Sequence, residues 1–399
     1  MKLTPEMADA RIKEEGILPF DPQGLLDRLR ALTDRRGERG RRYELAPLLL
    51  LIVFAKLAGE DTPCAIADWV ASRADEVRQS LHLDWTRMPH HNTIRRVLAL
   101  VVEPQELDRV VGEHLGSLPE VGTSRLIAFD GKTVRGTISA EDRHGTHLLA
   151  AYLPREGIVL GQVGVASKEN EITAAPPLLK SLDLRGKVVM GDAMHTQREL
   201  SKQIKEAGGD FLWLVKDNQP TLQAEIAELF APPTPTVLGN VLPDDFARYQ
   251  KTNQGHGRCE RRQITVSGEL KGYAKWPYLE QVFELVRSRT DLQTGATQTE
   301  VVHGVTSLRR KAASAKTLHD FVRDYWGIEN GLHQPRDTTF REDRTRQTFG
   351  HQGHVMATLN NLALGLLRHL GFTNLAHARR IVSASFNQTT YLAIESMLT

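Results

Sequence analysis

The sequence predicts a mixed α/β protein in which an all-helical N-terminal segment precedes a sheet, and a β-rich insertion separates the sheet from a last helical stretch. Three observations carry this. Residues 22–118 set apolar side chains at helical spacing; from residue 125 the pattern turns to short apolar runs of strand length; and a Pro-rich junction at 231–245 is followed by alternating segments before helical spacing returns. At 399 residues the chain has room for two or three domains. Its 40% hydrophobic and 25% charged residues fit an ordinary globular protein and exclude a disordered or fibrous one.

The helical segment contains "YELAPLLLLIVFAKLAG", "AIADWVASRADEVRQSL" and "HNTIRRVLALVV". Its most apolar run, residues 45–59, is shorter than the roughly 20 residues a bilayer span needs and includes Lys56, so it reads as a buried core helix. Pro89 announces another helix with Asn92 or Thr93 as cap. A helix opening "NTIRR" fits either a helix-turn-helix or a plain packing domain. Net charge is only +2, but "RLRALTDRRGERGRR" concentrates arginines at 28–42, a pattern that by itself describes a solvated face. Cys64 and Cys259 have neither disulfide nor zinc spacing, which points to a reducing cytoplasm. The first residues carry acids and no apolar run, so neither export signal nor membrane partner is expected.

Next come the predicted strands "RLIAFD", "HLLAAYL", "GIVLGQVGV", "GKVVMGD" and "DFLWLVK". Between the last two, "TQRELSKQIKEAGG" has helical spacing and ends in a glycine pair suited to a helix stop. The insertion contributes "RRQITVSGEL", "QVFELVRSR" and "TEVVHGVTSL", and helix resumes at "KTLHDFVRDYWGIENGLH". Later, "MATLNNLALGLLRHLG" reads as a core or subunit-packing helix, His351 and His354 as part of a polar loop, and Trp213 and Trp326 as core.

Three acids stand out. Asp130 and Asp192 each come directly after an apolar strand, and ligands collect at strand ends in open α/β sheets. Taken singly, each is equally well a turn cap. Glu329 lies beyond Leu318, Val322 and Tyr325 by steps of four and three, which puts it on the apolar stripe of its helix. A carboxylate there needs a partner: an arginine such as Arg323 or Arg336, or a divalent cation shared with Asp130 and Asp192. Convergence would favour the cation, because three carboxylates repel one another and Mg²⁺ or Mn²⁺ takes hard oxygen ligands. Gly131 would then let a phosphate approach the backbone, and Lys132 would offset its charge.

The segments "AFDGKTVRGT", "KENEITAAPPLLKSLDLRGKVVMGDAMHTQREL", "GGDFLWLVKDNQPTL", "HGRCERR", "DYWGIENGLH" and "RDTTFREDRTR" resemble the DDE transposases of bacterial insertion sequences, in the ISAs-type family that includes the H-repeat-associated proteins of Rhs elements. The resemblance implies an RNase H-like catalytic core, with Asp130, Asp192 and Glu329 as catalytic acids that bind Mg²⁺, or Mn²⁺ in its place. It implies a helical, DNA-binding domain at 22–118, a core at 122–230 and 316–370 interrupted by a β-rich insertion at 231–315, and a tail at 371–399. The expected activity is cleavage at the element's inverted-repeat ends and strand transfer to target DNA by a homo-oligomer, in the cytoplasm on the nucleoid. DNA contacts are expected from Lys132, Lys168, His195, Arg258, Arg262 and Arg336, with Asn170 and Glu171 beside Lys168 in a loop near the active face; for His195 the alternative is to hold Asp192 in place. Gln334 and Pro335 depart from the family pattern, and Pro335 is expected to end or kink the helix after Glu329. That departure motivates the alternative of a catalytically inactive DNA-binding remnant.

Overall fold

The computed structural model describes residues 22–165, 171–231, 245–255 and 257–385. In chain order the N-terminal helices are α1 (Pro22–Arg30), α2 (Leu45–Leu57), α3 (Pro63–Ala71), α4 (Ala74–Ser80), α5 (His91–Arg96) and α6 (Pro104–Gly116). The strands β1 (Leu126–Val134), β2 (Thr146–Leu153) and β3 (Ile158–Val165) precede α7 (Glu171–Lys180), β4 (Val188–Gly191), α8 (Arg198–Glu206), β5 (Asp210–Val215) and α9 (Pro220–Phe230). Four long strands come next: β6 (Ala247–Gly255), β7 (Arg258–Ser267), β8 (Gln281–Asp291) and β9 (Thr297–Thr306). Then come α10 (Ala315–Tyr325), a π-helical turn (Glu329–His333), α11 (Gln334–Thr338), α12 (Gln352–His369) and α13 (Leu375–Ser385). The protein is thus mixed α/β, and its described residues form two compact units: those within 22–124, 131–174 and 328–385 form one, and those within 125–130 and 175–327 the other. No helix among the described residues is long and apolar enough to cross a membrane.

In the first unit, α2 is the expected core helix, buried along its whole length, Lys56 included. A helix that is apolar all round can only sit inside. Thr62 caps α3 by accepting the Ala65 N–H at 3.2 Å, with Pro63 in the first turn where its missing N–H costs nothing. The cap of α5 is His90, whose ring accepts the Asn92 N–H at 3.3 Å, rather than Asn92 or Thr93. The N-terminal helices do not stand apart as a unit of their own, because α6 packs on β3 and α12. Gly112 is what allows the approach: a Cβ there would collide with the Leu160 carbonyl oxygen.

Helix α12 is buried from Gln352 to Leu367, and its polar side chains are bonded. His354 meets Asp108 at 2.6 Å, and Thr358 donates to the same carboxylate at 2.6 Å. His354 is therefore a structural partner of Asp108 within a helix, while His351 is exposed just before it. A second buried network centres on Asn360, which accepts from Lys56 Nζ at 2.6 Å and donates to Glu342 at 2.9 Å. Glu342 takes a two-pronged guanidinium contact from Arg336 at 2.8 to 3.0 Å. Arg379 binds Asp61 at 2.7 Å and lies over the Phe340 ring, 4.5 Å from its centroid. Burial raises the Glu342 carboxyl, but the Arg336 charge and hydrogen bonds outweigh it and hold the group below its usual range. For Lys56 burial wins, pulling the ammonium down to about 8.

The second unit is built on a sheet in which the 125–130 part of β1 pairs parallel with β4, and β4 parallel with β5. Leu126, Ile127, Ala128, Phe129, Val188, Val189, Met190, Phe211, Leu212 and Trp213 are all buried, as strands covered on both faces must be. The predicted insertion does not form a separate layer. Instead β9 pairs antiparallel with β5, and β8, β7 and β6 continue the same sheet outward. Strand β6, "ARYQKTNQG", has no counterpart among the predicted strands, for it is almost wholly polar and largely exposed. Trp213 is core as expected, donating to Ser201 at 2.9 Å, whereas Trp326 is 53% exposed at the end of α10.

The buried charges of the first unit give two tests. Lys56 is depressed from 10.5 to about 8, so the unfolded chain binds the extra proton between those values and wild-type stability should rise through that window. Relative to Lys56→Met the gain should be about 1–3 kcal/mol between pH 8 and 10, read from melting curves, and absent below pH 8. Replacing Arg336 by Met strands a buried carboxylate and should cost about 3–5 kcal/mol in denaturant titrations.

Candidate active site

Two of the three predicted acids arise from one register. Strand β1 pairs with β4 as Leu126↔Val188, Ile127↔Val189, Ala128↔Met190 and Phe129↔Gly191. Asp130 follows directly on β1 and Asp192 directly after β4, so neighbouring parallel strands deliver them side by side where the apolar pairing stops. Both are half-buried. Strand β1 itself does not end at Asp130, as the sequence suggested, but runs on to Val134.

Asp192 is held by the loop it opens. Its carboxylate accepts the Met194 N–H at 3.0 Å and caps a 3-10 turn at Ala193–His195. The Asn218 side chain donates to the Ala193 carbonyl at 2.5 Å and that of Gln219 to the Thr196 carbonyl at 3.0 Å, while the Thr196 hydroxyl donates to the Leu214 carbonyl at 2.6 Å. The "DAMHTQ" loop is thereby tied to the segment after β5. Sequence reasoning missed Asn218 and Gln219; the signal was present, since "KDNQP" places two amides directly after a buried strand. His195 is 1% exposed, its ring edge-on to Phe129 at 6.5 Å. The ring packs against Phe129 and Gly191 and presents almost no surface to a phosphate.

Glu329 is exposed, contrary to the apolar stripe assigned to it. Ile328, one residue earlier, holds the stripe position between Tyr325 and Leu332, all three buried. Neither Arg323 nor Arg336 meets Glu329, which has no hydrogen-bond or ion-pair partner among the described residues. Its carboxylate and the His333 ring offer ligand atoms within 4.8 Å of each other across the π-helical turn. The expected break at Pro335 does not occur: the residue lies in the first turn of α11, where a missing N–H is tolerated.

The residues after Asp130 are not where the sequence put them. A Cβ on Gly131 would collide with the Glu171 carboxylate, so that side of the strand holds an acid and leaves no room for a phosphate. Glu171, buried, is met by His147 at 2.7 Å, and His147 in turn by the Thr133 hydroxyl at 2.9 Å. Lys132 is committed to Asp337 at 2.7 Å and to Asp343 at 3.7 Å. Arg336 is fully buried on Glu342 and touches no solvent. Both cations are thus structural partners of carboxylates rather than surface groups for DNA. Arg262 is tied to Glu260 at 2.6 Å, with Arg287 on the same carboxylate, while Arg258 is exposed at the start of β7. Lys168 and Asn170 lie outside the described residues.

The family described as "Transposase DDE domain" matches residues 122–366, and the description "DDE_Tnp_1-associated" matches residues 26–115. YncI of Escherichia coli O157:H7, named as a transposase, is 30% identical over 351 residues, 87% of each chain. The H repeat-associated YhhI of Escherichia coli K12, also named as a transposase, is 27% identical over 350 residues, covering 86% of this chain and 90% of its own. A cryo-EM structure of a piggyBac transposase synaptic complex with hairpin DNA aligns at a TM-score of 0.42 and 8% identity, over 97% of this chain and 81% of that one. Matched over well more than half its length, this chain belongs to the DDE domain family of insertion-sequence transposases.

Proposed function

We propose that the protein cuts the DNA ends of its insertion sequence and joins them to target DNA, and that Asp130, Asp192 and Glu329 are the acids that do so. The observation that supports this reading is the β1–β4 register, in which the first two acids directly follow the last apolar pair, Phe129↔Gly191. Glu329 is the natural third member, an exposed carboxylate on a helical turn with no partner among the described residues. A strand followed by the antiparallel pair β2–β3, and then β4 and β5 parallel to the first, supports an RNase H-like core.

This donor set of hard carboxylate oxygens fits Mg²⁺ or Mn²⁺, with Asp130, Asp192 and Glu329 as ligands. When bound, such a cation supplies charge neutralisation at the attacked phosphate and lowers the pKa of an attacking water or 3′-hydroxyl. The chain's own part is positioning. The loop after Asp192, tied by Asn218, Gln219 and Thr196, holds that carboxylate without reorganisation when the phosphate arrives, which is where an in-line displacement gains most. Exposed Arg258, with exposed Arg95 and Arg96 in the last turn of α5, supplies backbone contacts for DNA, and pairing of two ends requires more than one copy of the chain.

Asp130→Asn, Asp192→Asn and Glu329→Gln should each lower Mn²⁺-dependent nicking of a duplex carrying the element's flanking inverted repeats by about 100-fold or more, with end binding retained. A variant that still nicks at the wild-type rate removes its residue from the set; cutting without any joined product would leave a nuclease in place of a transposase.

A further inference from the structure

We propose that Lys132, Asp337 and Asp343 form a positioning clamp that holds the Glu329 helix at a fixed distance from β1 and thereby sets the affinity of the acids for their divalent cation. The inference rests on the metal-binding reading above and goes beyond it, because it concerns residues that touch no substrate.

The contacts of Lys132, Asp337 and Asp343 all lie within the first unit. Lys132 lies two positions after Asp130, and side chains alternate along a strand, so both point to the same face of β1. Its Nζ is 2.7 Å from Asp337 Oδ1, 2.9 Å from Oδ2 and 3.7 Å from Asp343. Asp343 also accepts the Arg135 N–H at 2.9 Å, so β1 and the turn that follows it grip this segment twice, once by side chain and once by backbone. Asp337 lies in α11, which continues from the π-helical turn of Glu329 without a break, and Arg336 beside it is anchored on Glu342. Helix is stiff over two turns, so fixing Asp337 fixes Glu329.

Glu329 needs an external restraint because it has none of its own among the described residues. The Lys132 side chain is only 9% exposed, and its ammonium sits between two carboxylates that would otherwise repel. Burial foremost, with the Asp343 and Glu342 charges behind it, pushes the Asp337 carboxyl up against the pull of Lys132. Without the lysine these acids separate or take up a proton, and the helix loses its tie to the strand. Supporting groups behind metal ligands typically govern affinity by about 10–100-fold when removed.

The test is Mn²⁺ binding to the full-length protein without DNA, by titration calorimetry, alongside circular dichroism and melting. Lys132→Met should bind Mn²⁺ about tenfold more weakly while remaining folded, and Lys132→Arg should recover to within about threefold. The charge swap Lys132→Asp with Asp337→Lys should bind more tightly than either single variant. If Lys132→Met does not fold, Asp337→Asn carries the same expected loss. Wild-type Mn²⁺ affinity in a folded Lys132→Met or Asp337→Asn overturns the clamp. Asp192→Asn is the reference: if it too binds Mn²⁺ like wild type, the metal assignment itself fails, whereas a loss in Asp192→Asn alone sinks only the clamp.

Discussion

The parallel pairing of β1 with β4 is the constraint on which the rest depends. Four apolar residues on one strand pair with three and a glycine on the other, all buried, and burial of that many side chains outweighs any gain from sliding the strands. A slip of one residue would turn each side chain to the opposite face. Register is therefore fixed by hydrophobic burial far from any chemistry, and the positions of Asp130 and Asp192 result from it. The polar loop after Asp192 then needs only to orient a carboxylate that the strand has already placed.

Charge in the first unit is organised differently. Lys56, Arg336, Glu342 and Arg379 are almost fully buried, and each is met by opposite charge, an amide or a backbone carbonyl. Ion pairs in such a setting roughly break even with apolar packing, so they add little net stability. What they exclude is misalignment, because a displaced partner leaves a buried charge alone. Arg336 to Glu342, Glu342 to Asn360 and Asn360 to Lys56 link α11, α12 and α2 in one chain of contacts that has few alternatives. Directional bonds thus complement the non-directional core of α2 and α12.

Much of this was legible in the sequence, and the remainder was hidden for physical reasons. The runs "LIAF" and "KVVM" announced buried strands with acids after them, and "LAPLLLLIVFAKL" a core helix, because burial writes itself into composition. Strand β6 stayed hidden since an edge strand in solvent needs no apolar alternation. Glu329 was given a stripe position that Ile328 fills; both spacings are helical, and only packing chooses between them. Lys132 and Arg336 read as free cations because nothing local marks a partner: Asp337 is 205 positions from Lys132, and Glu342 sits a turn beyond Arg336 in a segment whose fold the pattern does not give. A basic residue near an acidic site invites a phosphate only when its charge is unspent, and charge spent on a distant carboxylate is invisible along the chain.

Gly131 shows how one strand serves two purposes. The alternation that sends Asp130 and Lys132 to one face sends Gly131 and Thr133 to the other, where Thr133, His147 and Glu171 form a closed chain of hydrogen bonds. A side chain at 131 would strike the Glu171 carboxylate, so glycine is demanded by an acid rather than by a ligand. Substitution there would push Glu171 or β1 aside and carry Asp130 with it, through one peptide bond. The residue next to the candidate metal ligand is thus fixed by the opposite face of its own strand, and the short sequence "DGK" combines a candidate ligand, a packing gap and an ion-paired lysine, each answering to a different neighbour.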